Sequence, residues 1–220
     1  MKTFQLRAAG SLVPEALSER SEQLFDKCCD IDAKAYLELA LKELNLQKKQ
    51  LPKLTFTYPL SKENDAIQKI AQVLQDQWRE HLGLDIQLEA LEIKQVTAKL
   101  GNRDYDIGFI SWEAYYHSPF CYFDRFLTKT NKKNYTGWEN PQFVEHVQNA
   151  LLCNDHVERQ HHFTAAEKVM AADSPLAPVL FWDYCIVASE RVSGLQLCNN
   201  GALWLETLRL EEDHPSKGRR

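Results

Sequence analysis

Hydrophobic and polar positions along residues 54–111 follow two periods in turn, that of a strand and that of a helix. Residues 54–58, LTFTY, alternate between apolar and polar and are rich in β-favouring types, which predicts a strand. Residues 65–82 place apolar side chains at helical spacing, and Gly83 is well placed to end that helix. Residues 84–91 alternate again, which predicts a second strand.

A third strand completes this pattern. A short helix is predicted over residues 93–100, and the compact apolar run of residues 105–111 predicts a strand. Successive strand–helix–strand crossovers favour parallel pairing, because parallel neighbours need a long connection, which is usually a helix. The sequence therefore predicts an α/β fold with a mainly parallel sheet flanked by helices.

The remaining segments are predicted from the same signals. Further helices are expected over residues 33–46, 120–127, 141–152 and 156–172, and further strands over residues 177–188 and 203–210. Residues 177–188 are expected to form a buried strand or a pair of strands, with Asp183 in the turn between the two. The opening residues 1–30 are turn-rich and predict a connector, and the polar residues 211–220 predict a disordered tail.

Composition and charge narrow the function classes. The chain has 31 acidic and 26 basic residues and a net charge of -5, which gives no electrostatic reason to expect a nucleic acid or an anionic membrane, since phosphate binding needs clustered Lys and Arg. No apolar run reaches the roughly 18 residues of a membrane-spanning helix. Gln5, Arg7 and Ser11 interrupt the opening stretch, so we expect no signal-peptide core. The expected partner is neutral or weakly charged, and it is not a nucleic acid.

No sequence motif for catalysis or metal binding is present. The six cysteines have no repeated CxxC spacing, which favours reduced, partly buried thiols over a zinc site or a disulfide framework. His156, His161 and His162 are not spaced to share one helix face, as zinc-binding pairs are. The motifs GxSxG and HExxH are missing. We therefore expect no cofactor, no metal ion and no enzymatic activity.

The predicted strand at residues 105–111 leads directly into an aromatic stretch. Open α/β sheets bind ligands at the carboxyl ends of their strands, so this stretch is a candidate binding surface. We call residues 111–117 the rim segment. Its members are the candidate ligand-binding residues Ser111, Trp112, Glu113, Ala114, Tyr115, Tyr116 and His117.

Several segments, taken in order, carry a family resemblance. They are HLGLDIQLEALE, RDYDIGFISWEAYYHSP, ENPQFVEHVQNAL, ERQHHFTAAEKVM and SPLAPVLFW, with the pair Asn134 and Tyr135 after the second. In this order and spacing, residues 12–210 resemble the C-terminal half of the bacterial extracytoplasmic solute-binding proteins of the oligopeptide and dipeptide class. The resemblance implies one lobe of a periplasmic-binding-protein-like, or venus-flytrap, fold, in which two α/β lobes close on a ligand.

The same resemblance implies a function without chemistry. Such proteins are the substrate-capture subunits of ABC importers, which implies short peptides and membrane permease subunits as partners and the periplasm as the location. Full-length members are longer, so this chain is expected to be a C-terminal fragment, with a separately encoded first lobe as a further partner. Since no targeting segment is expected, a cytoplasmic fragment is the alternative location. The alternative function is that of a truncated or degenerate lobe with a non-transport or partner-binding role.

The resemblance also implies a division of the chain. Residues 1–30 would form a connector and part of the return to the first lobe, and residues 31–190 the peptide-binding second lobe. Residues 191–210 would be return strands toward the first lobe, followed by the tail at residues 211–220.

Roles within the rim segment follow from the resemblance as well. Family members lay the peptide main chain against the residues that match Ser111 to Ala114, in the manner of strand addition. Trp112 matches a tryptophan that walls a pocket, and its alternative role is that of a core residue at a strand end. The family's acidic residue, which pairs with the ligand's ammonium, is replaced here by Tyr115, whose phenol cannot supply that charge.

Another carboxylate lies nearby in the sequence. Glu113 would point to the other face of an extended backbone, and a solvated surface carboxylate is its favoured alternative. Either the ligand is anchored differently or the site has decayed. Tyr115, Tyr116 and His117 are predicted either to contact a ligand or to pack within the lobe.

Overall fold

Helices and strands alternate over residues 55–108 of this computed structural model, which describes residues 6–18, 24–25, 33–60, 65–182, 186–196 and 203–211. The helices are α1 (Glu15–Ser18), α2 (Ala33–Glu43), α3 (Ala66–Gln77), α4 (Ile93–Asn102), α5 (Phe120–Phe123), α6 (Pro141–Leu152) and α7 (His156–Asp173). The strands are β1 (Leu6–Ala8), β2 (Thr55–Pro59), β3 (Gln87–Leu91), β4 (Ile107–Gly108), β5 (Leu180–Trp182), β6 (Val192–Ser193) and β7 (Arg209–Leu210). A π-helical turn, Trp78–Leu82, extends α3 and ends at Gly83, whose φ of 58° is left-handed as a C-cap requires.

The predicted parallel sheet is present. β2, β3 and β4 form a three-stranded sheet in the order β3–β2–β4, and both pairings are parallel. Thr55 lies opposite Gln87, and Phe56 lies opposite Ile107. α3 connects β2 to β3, and α4 carries the chain from β3 to β4 on the other side of β2. The expected α/β class with a parallel sheet and flanking helices is confirmed.

One hydrophobic cluster, the sheet core, lies between β2 and α3. Phe56 and Tyr58 are buried there together with Ala71 and Ile86. Trp78 meets the Phe56 ring edge-on, with the ring centroids 5.4 Å apart. The alternation of residues 54–58 thus directs the aromatic side chains of β2 into a core, as the sequence predicts.

A second cluster, the helical core, is built mainly from α5, α6 and α7. Phe123 is 0% exposed, and its ring centroid lies 5.6 Å from that of Phe143 and 5.9 Å from that of Phe163. Asn140 caps α6 by accepting hydrogen bonds from two backbone N–H groups of its first turn, and Asp155 caps α7 in the same way with one. These caps start both helices where the sequence predicts.

The opening stretch contributes a strand and part of the helical core. β1 pairs antiparallel with β5, with Arg7 opposite Phe181. Val13 is 1% exposed and packs in the helical core with Leu12 and Leu17. The turn-rich sequence predicts neither feature, because a few core side chains in an irregular segment leave no periodic pattern. The division into connector, lobe and return strands stays a prediction.

The strand predicted over residues 105–111 is shorter than expected. Ile107–Gly108 pairs with β2, and the Phe109 N–H donates one further hydrogen bond to β2 at 2.9 Å. The next bond of a parallel ladder would need the N–H of Pro59, which proline lacks. Pairing therefore stops, and the chain leaves the sheet earlier than its apolar sequence suggests.

The prediction of a buried strand over residues 177–188 is also mostly wrong. Leu180–Trp182 is a strand, but its residues are half-buried rather than buried, and Val187 is 82% exposed. In the described part of the chain, β5 pairs with β1 alone. It therefore lacks the strands on both sides that shield a central strand from solvent. Asp183 lies outside the described residues.

The final predicted strand, residues 203–210, is replaced by a turn and a two-residue strand that pairs with another short strand. Leu205–Thr207 forms a 3-10 turn, and Arg209–Leu210 pairs antiparallel with Val192–Ser193. The Thr207 hydroxyl donates to the backbone carbonyl of Trp204 at 3.0 Å, which favours the turn over an extended chain. Residues 212–220 of the predicted tail lie outside the described residues.

Glu89 joins β3 to α4 on the face of the sheet opposite the sheet core. Its carboxylate accepts a hydrogen bond from the Thr57 hydroxyl at 2.7 Å and pairs with the Lys99 ammonium at 2.7 Å. The Lys99 ammonium, and then the Thr57 hydroxyl, hold the pKa of Glu89 below its ordinary value of 4.5. This polar cluster therefore favours the charged carboxylate in the folded chain.

The lowered pKa of Glu89 predicts how stability depends on pH. The contribution of this carboxylate is fully present above its ordinary pKa of 4.5 and is lost as the pH falls through the lower folded-state pKa. We expect Glu89→Gln to cost about 1 kcal/mol of unfolding free energy near neutral pH. Urea denaturation should show that the difference in unfolding free energy between the wild-type chain and Glu89→Gln shrinks below pH 4.5. Glu43→Gln, at an exposed position of α2, is the control. A difference in unfolding free energy for Glu89→Gln that stays the same in acid would contradict the prediction.

Candidate functional site

The rim segment follows β4 at the carboxyl end of the parallel sheet. Trp112 and Ala114 are half-buried, whereas Ser111, Glu113 and Tyr115 are exposed. This alternation is that of an extended backbone with one face against the protein. Glu113 therefore lies on the face opposite Trp112, as its spacing predicts.

Trp112 rests on the helical core. Its ring centroid lies 5.8 Å from that of Phe126, with the two planes at 60°. The guanidinium carbon of Arg125 lies 4.1 Å from the centroid of the Trp112 ring. Because the side chain is half-buried, one part packs on the core and another part faces solvent. Its role as a pocket wall stays a prediction.

Arg125 lies beneath the rim segment, and sequence reasoning missed it. Its side chain is 8% exposed, and its Nη2 donates to the backbone carbonyl of Cys121 at 3.2 Å. Burial lowers the pKa of Arg125 from its ordinary value. In the sequence it stands beside Asp124 in a segment predicted to be helical, which is the pattern of a solvated charge. No local signal marks it as buried.

The other aromatic side chains of the rim segment face solvent. Tyr115 is 70% exposed and Tyr116 is 43% exposed, and His117 is exposed as well. Burial, and then the charge of Asp124, raise the pKa of Tyr116. An exposure this high leaves Tyr115 accessible rather than packed within the lobe. Contact of these side chains with a ligand stays a prediction.

The main chain of the rim segment has unused hydrogen-bonding groups. Within the described residues, the main chains of Ser111, Trp112 and Ala114 make no hydrogen bond to another backbone group. An extended segment with unpaired N–H and C=O groups is a template for an added strand. This geometry suits an extended peptide laid along the segment.

A loop behind the rim segment is held by Asn134, one of the residues that carried the family resemblance. Asn134 is 1% exposed, and its Nδ2 donates to the carbonyls of Thr128 at 3.0 Å and Trp138 at 2.8 Å. Trp138 packs edge-on against Phe126, with ring centroids 6.1 Å apart. The Asn134 network therefore supports the ring on which Trp112 rests.

A polar recess of about 360 Å³ opens at the amino end of the sheet, away from the rim segment. Its lining residues are Thr55, Thr57, Glu89, Lys99, Arg103, Asp104, Tyr105 and Asp106. The Asp106 carboxylate accepts a hydrogen bond from the Thr55 N–H at 2.9 Å, and Lys99 pairs with Glu89. These groups hold the start of β2 and the underside of α4, which is a structural role.

The described residues offer no grouping of three or more His, Cys, Asp or Glu that would hold a metal ion. Cys121 and Cys153 are free thiols, and the other four cysteines lie outside the described residues. Burial raises the pKa of Cys121 to about 11, so this thiol stays protonated near neutral pH. Among the helices that the structure describes, none is both long and apolar enough to cross a membrane.

The sequence has relatives among characterised proteins. Residues 7–134 match the family described as "Bacterial extracellular solute-binding proteins, family 5 Middle". The chain is 33% identical over 173 residues to the oligopeptide-binding protein OppA of Bacillus subtilis, and 28% identical over 163 residues to the dipeptide-binding protein DppE of the same species. These stretches cover 78% and 74% of this chain but 31% and 29% of the relatives. The chain thus spans about a third of their length.

Solved structures of similar proteins share the fold. OppA of Burkholderia pseudomallei matches with a TM-score of 0.78 at 22% identity, over 94% of this chain and 41% of that chain. The murein tripeptide binding protein MppA of Escherichia coli matches with a TM-score of 0.72 at 21% identity, over the same shares. The expected periplasmic-binding-protein-like fold is confirmed, and so is the resemblance found in the sequence. The chain belongs to the bacterial extracellular solute-binding proteins of family 5.

Proposed function

We propose that this chain is the peptide-gripping lobe of the substrate-binding subunit of an ABC-type peptide importer, and that it binds its ligand without changing it chemically. Its relatives OppA and DppE of Bacillus subtilis are oligopeptide-binding and dipeptide-binding proteins by name, which supports this proposal. The observation that carries it is the main chain of Ser111, Trp112 and Ala114, which has no backbone hydrogen-bond partner among the described residues and lies beside a half-buried indole at the end of a parallel sheet.

Binding would follow mainly from the backbone of the rim segment. A short peptide laid antiparallel to residues 111–114 would supply partners for their N–H and C=O groups, whatever its side chains are. The solvent-facing part of Trp112 would add apolar contact area. Because each such hydrogen bond contributes about 1 kcal/mol net, this surface alone accounts for weak binding.

The C-terminal part of the chain is suited to dock on the rest of such a protein. Leu203, Trp204, Leu205 and Leu210 are 37%, 52%, 69% and 77% exposed. The β6–β7 pair is too small to be stable by itself. We therefore propose that residues 191–210 return toward a first lobe, supplied by the rest of the protein or by a separate polypeptide.

The assembly would capture short peptides outside the cytoplasmic membrane and deliver them to membrane permease subunits. The family's description as extracellular supports this location. Closure of two lobes buries a ligand from both sides, so this lobe alone should bind far more weakly than the assembly does.

Nuclear magnetic resonance tests whether the rim segment binds peptide. Titration of the ¹⁵N-labelled chain with trialanine, up to about 10 mM to reach weak affinities, should shift the Trp112 indole N–H and the amides of residues 111–117 in a saturable way. Trp112→Phe identifies the indole signal. The indole of Trp78, which lies in the sheet core, is the internal control.

A matched ligand tests the role of the main chain. Trialanine methylated at its internal amide nitrogens lacks the N–H donors of an added strand, so its shifts should be several-fold smaller at equal concentration. No shift with trialanine, or equal shifts at Trp78 and Trp112, would contradict peptide capture by this segment. That outcome would favour the non-transport, partner-binding role.

A further inference from the structure

A positive charge lies directly beneath the rim segment. The guanidinium carbon of Arg125 is 4.1 Å from the centroid of the Trp112 ring, and the Arg125 side chain is 8% exposed. Its charge also acts on Tyr116, where it opposes the rise in the pKa of that hydroxyl that burial causes. The guanidinium therefore lies against Trp112, the half-buried aromatic member of the rim segment.

This cation is incompletely compensated by the groups around it. Arg125 Nη2 donates to the Cys121 carbonyl at 3.2 Å, but the buried Nε has no hydrogen-bond partner among the described residues. An oxygen of the Asp124 carboxylate stands 3.8 Å from Nε, beyond hydrogen-bond distance, and the Asp124 side chain is 48% exposed. A buried cation whose counter-ion is a partly exposed carboxylate at 3.8 Å still stabilises a further anion that comes close.

The position of Arg125 against the Trp112 ring determines whether a positive or a negative ligand group is favoured there. An aromatic face attracts cations, but one face of this indole is already taken by the guanidinium. A ligand ammonium there would also meet a like charge, whereas a carboxylate would meet an opposite one. We infer that Arg125 makes the rim segment select peptides that bring a carboxylate, rather than an ammonium, next to Trp112. This inference rests on the proposed peptide binding.

Two carboxylates of the region oppose this selection weakly. Glu113 is exposed on the face opposite Trp112, and Asp124 is half exposed. Charges in contact with water are screened by solvent and salt, whereas the field of the buried Arg125 is screened much less. The preference beside Trp112 is therefore for the anionic group.

Three peptides with the same backbone test the inference. N-acetyl-trialanine carries a carboxylate alone, trialanine amide carries an ammonium alone, and N-acetyl-trialanine amide is neutral. At about pH 6.5 the ammonium stays protonated. Dissociation constants are measured from the Trp112 indole N–H shift of the whole chain. The carboxylate peptide should bind roughly three- to tenfold more tightly than the ammonium peptide, with the neutral peptide between them.

Variants assign the preference to Arg125. Arg125→Met removes the charge and keeps apolar volume, so the affinity ratio should fall to about one, while Arg125→Lys should keep most of it. Lys94→Met, at an exposed position of α4, removes the same charge elsewhere and should leave the ratio unchanged. Equal or tighter binding of the ammonium peptide by the wild-type chain overturns the inference but leaves the proposed function intact. No shift with any of the three peptides overturns both.

Discussion

Replacing Phe143 with alanine is expected to lower the free energy of unfolding by about 4 kcal/mol. Phe143 is 0% exposed, and its ring centroid lies 5.6 Å from that of Phe123, 6.4 Å from that of Phe126 and 5.0 Å from that of Trp138. Rigid rings on several sides cannot all move into the space that is left, so the loss of buried area and the cavity both add to the cost. Urea denaturation followed by circular dichroism measures it.

Two further variants of α6 make this prediction specific. Phe143→Leu keeps most of the buried volume and should cost about 1.5 kcal/mol. Leu152→Ala removes an apolar side chain that is 81% exposed, and should change the free energy of unfolding by less than about 0.5 kcal/mol. Similar losses at Phe143 and Leu152 would show that α6 does not bury the face assigned to it.

Elements whose ends are set by their own residues follow the sequence prediction closely. α6 begins where Asn140 caps it, with Pro141 in its first turn, and α7 begins after the Asp155 cap. β4 is different, because its length depends on Pro59 in a neighbouring strand. Val13 is likewise buried by helices more than a hundred residues away, which no local pattern reveals. Local chemistry predicts helix boundaries here, and tertiary contacts decide strand length.

The candidate site divides in the same way. The alternating faces of the rim segment follow from period-two spacing, as the half-buried Trp112 and Ala114 show. Arg125 becomes a buried cation because Trp112 folds over it, and that contact depends on the loop's path. Glu167 offers one signal in the sequence, since it lies one helical turn after Phe163 on the apolar face of α7. A carboxylate at such a position needs buried donors, and their identity comes only from the fold.

Replacing Glu167 with alanine is expected to lower the free energy of unfolding by about 3 kcal/mol. Glu167 is 1% exposed, and its Oε1 accepts hydrogen bonds from the backbone N–H groups of Leu12 at 2.7 Å and Val13 at 3.3 Å. Without this acceptor, two buried donors remain unsatisfied and the segment after β1 loses its anchor on α7. Urea denaturation measures the loss. Hydrogen exchange at the Leu12 and Val13 amides should accelerate with it.

A conservative variant separates the hydrogen bonds of Glu167 from its charge. Glu167→Gln keeps an oxygen that accepts from both amides, so it should cost about 1 kcal/mol and leave them protected. Glu145→Ala removes an exposed carboxylate from α6 and should have little effect. If hydrogen exchange at the Leu12 and Val13 amides were unchanged in Glu167→Ala, the claim that Glu167 anchors this segment on α7 would be wrong. The pairing of β1 with β5 would then have to hold the opening segment, and Arg7, opposite Phe181 in that pair, would be the next position to test.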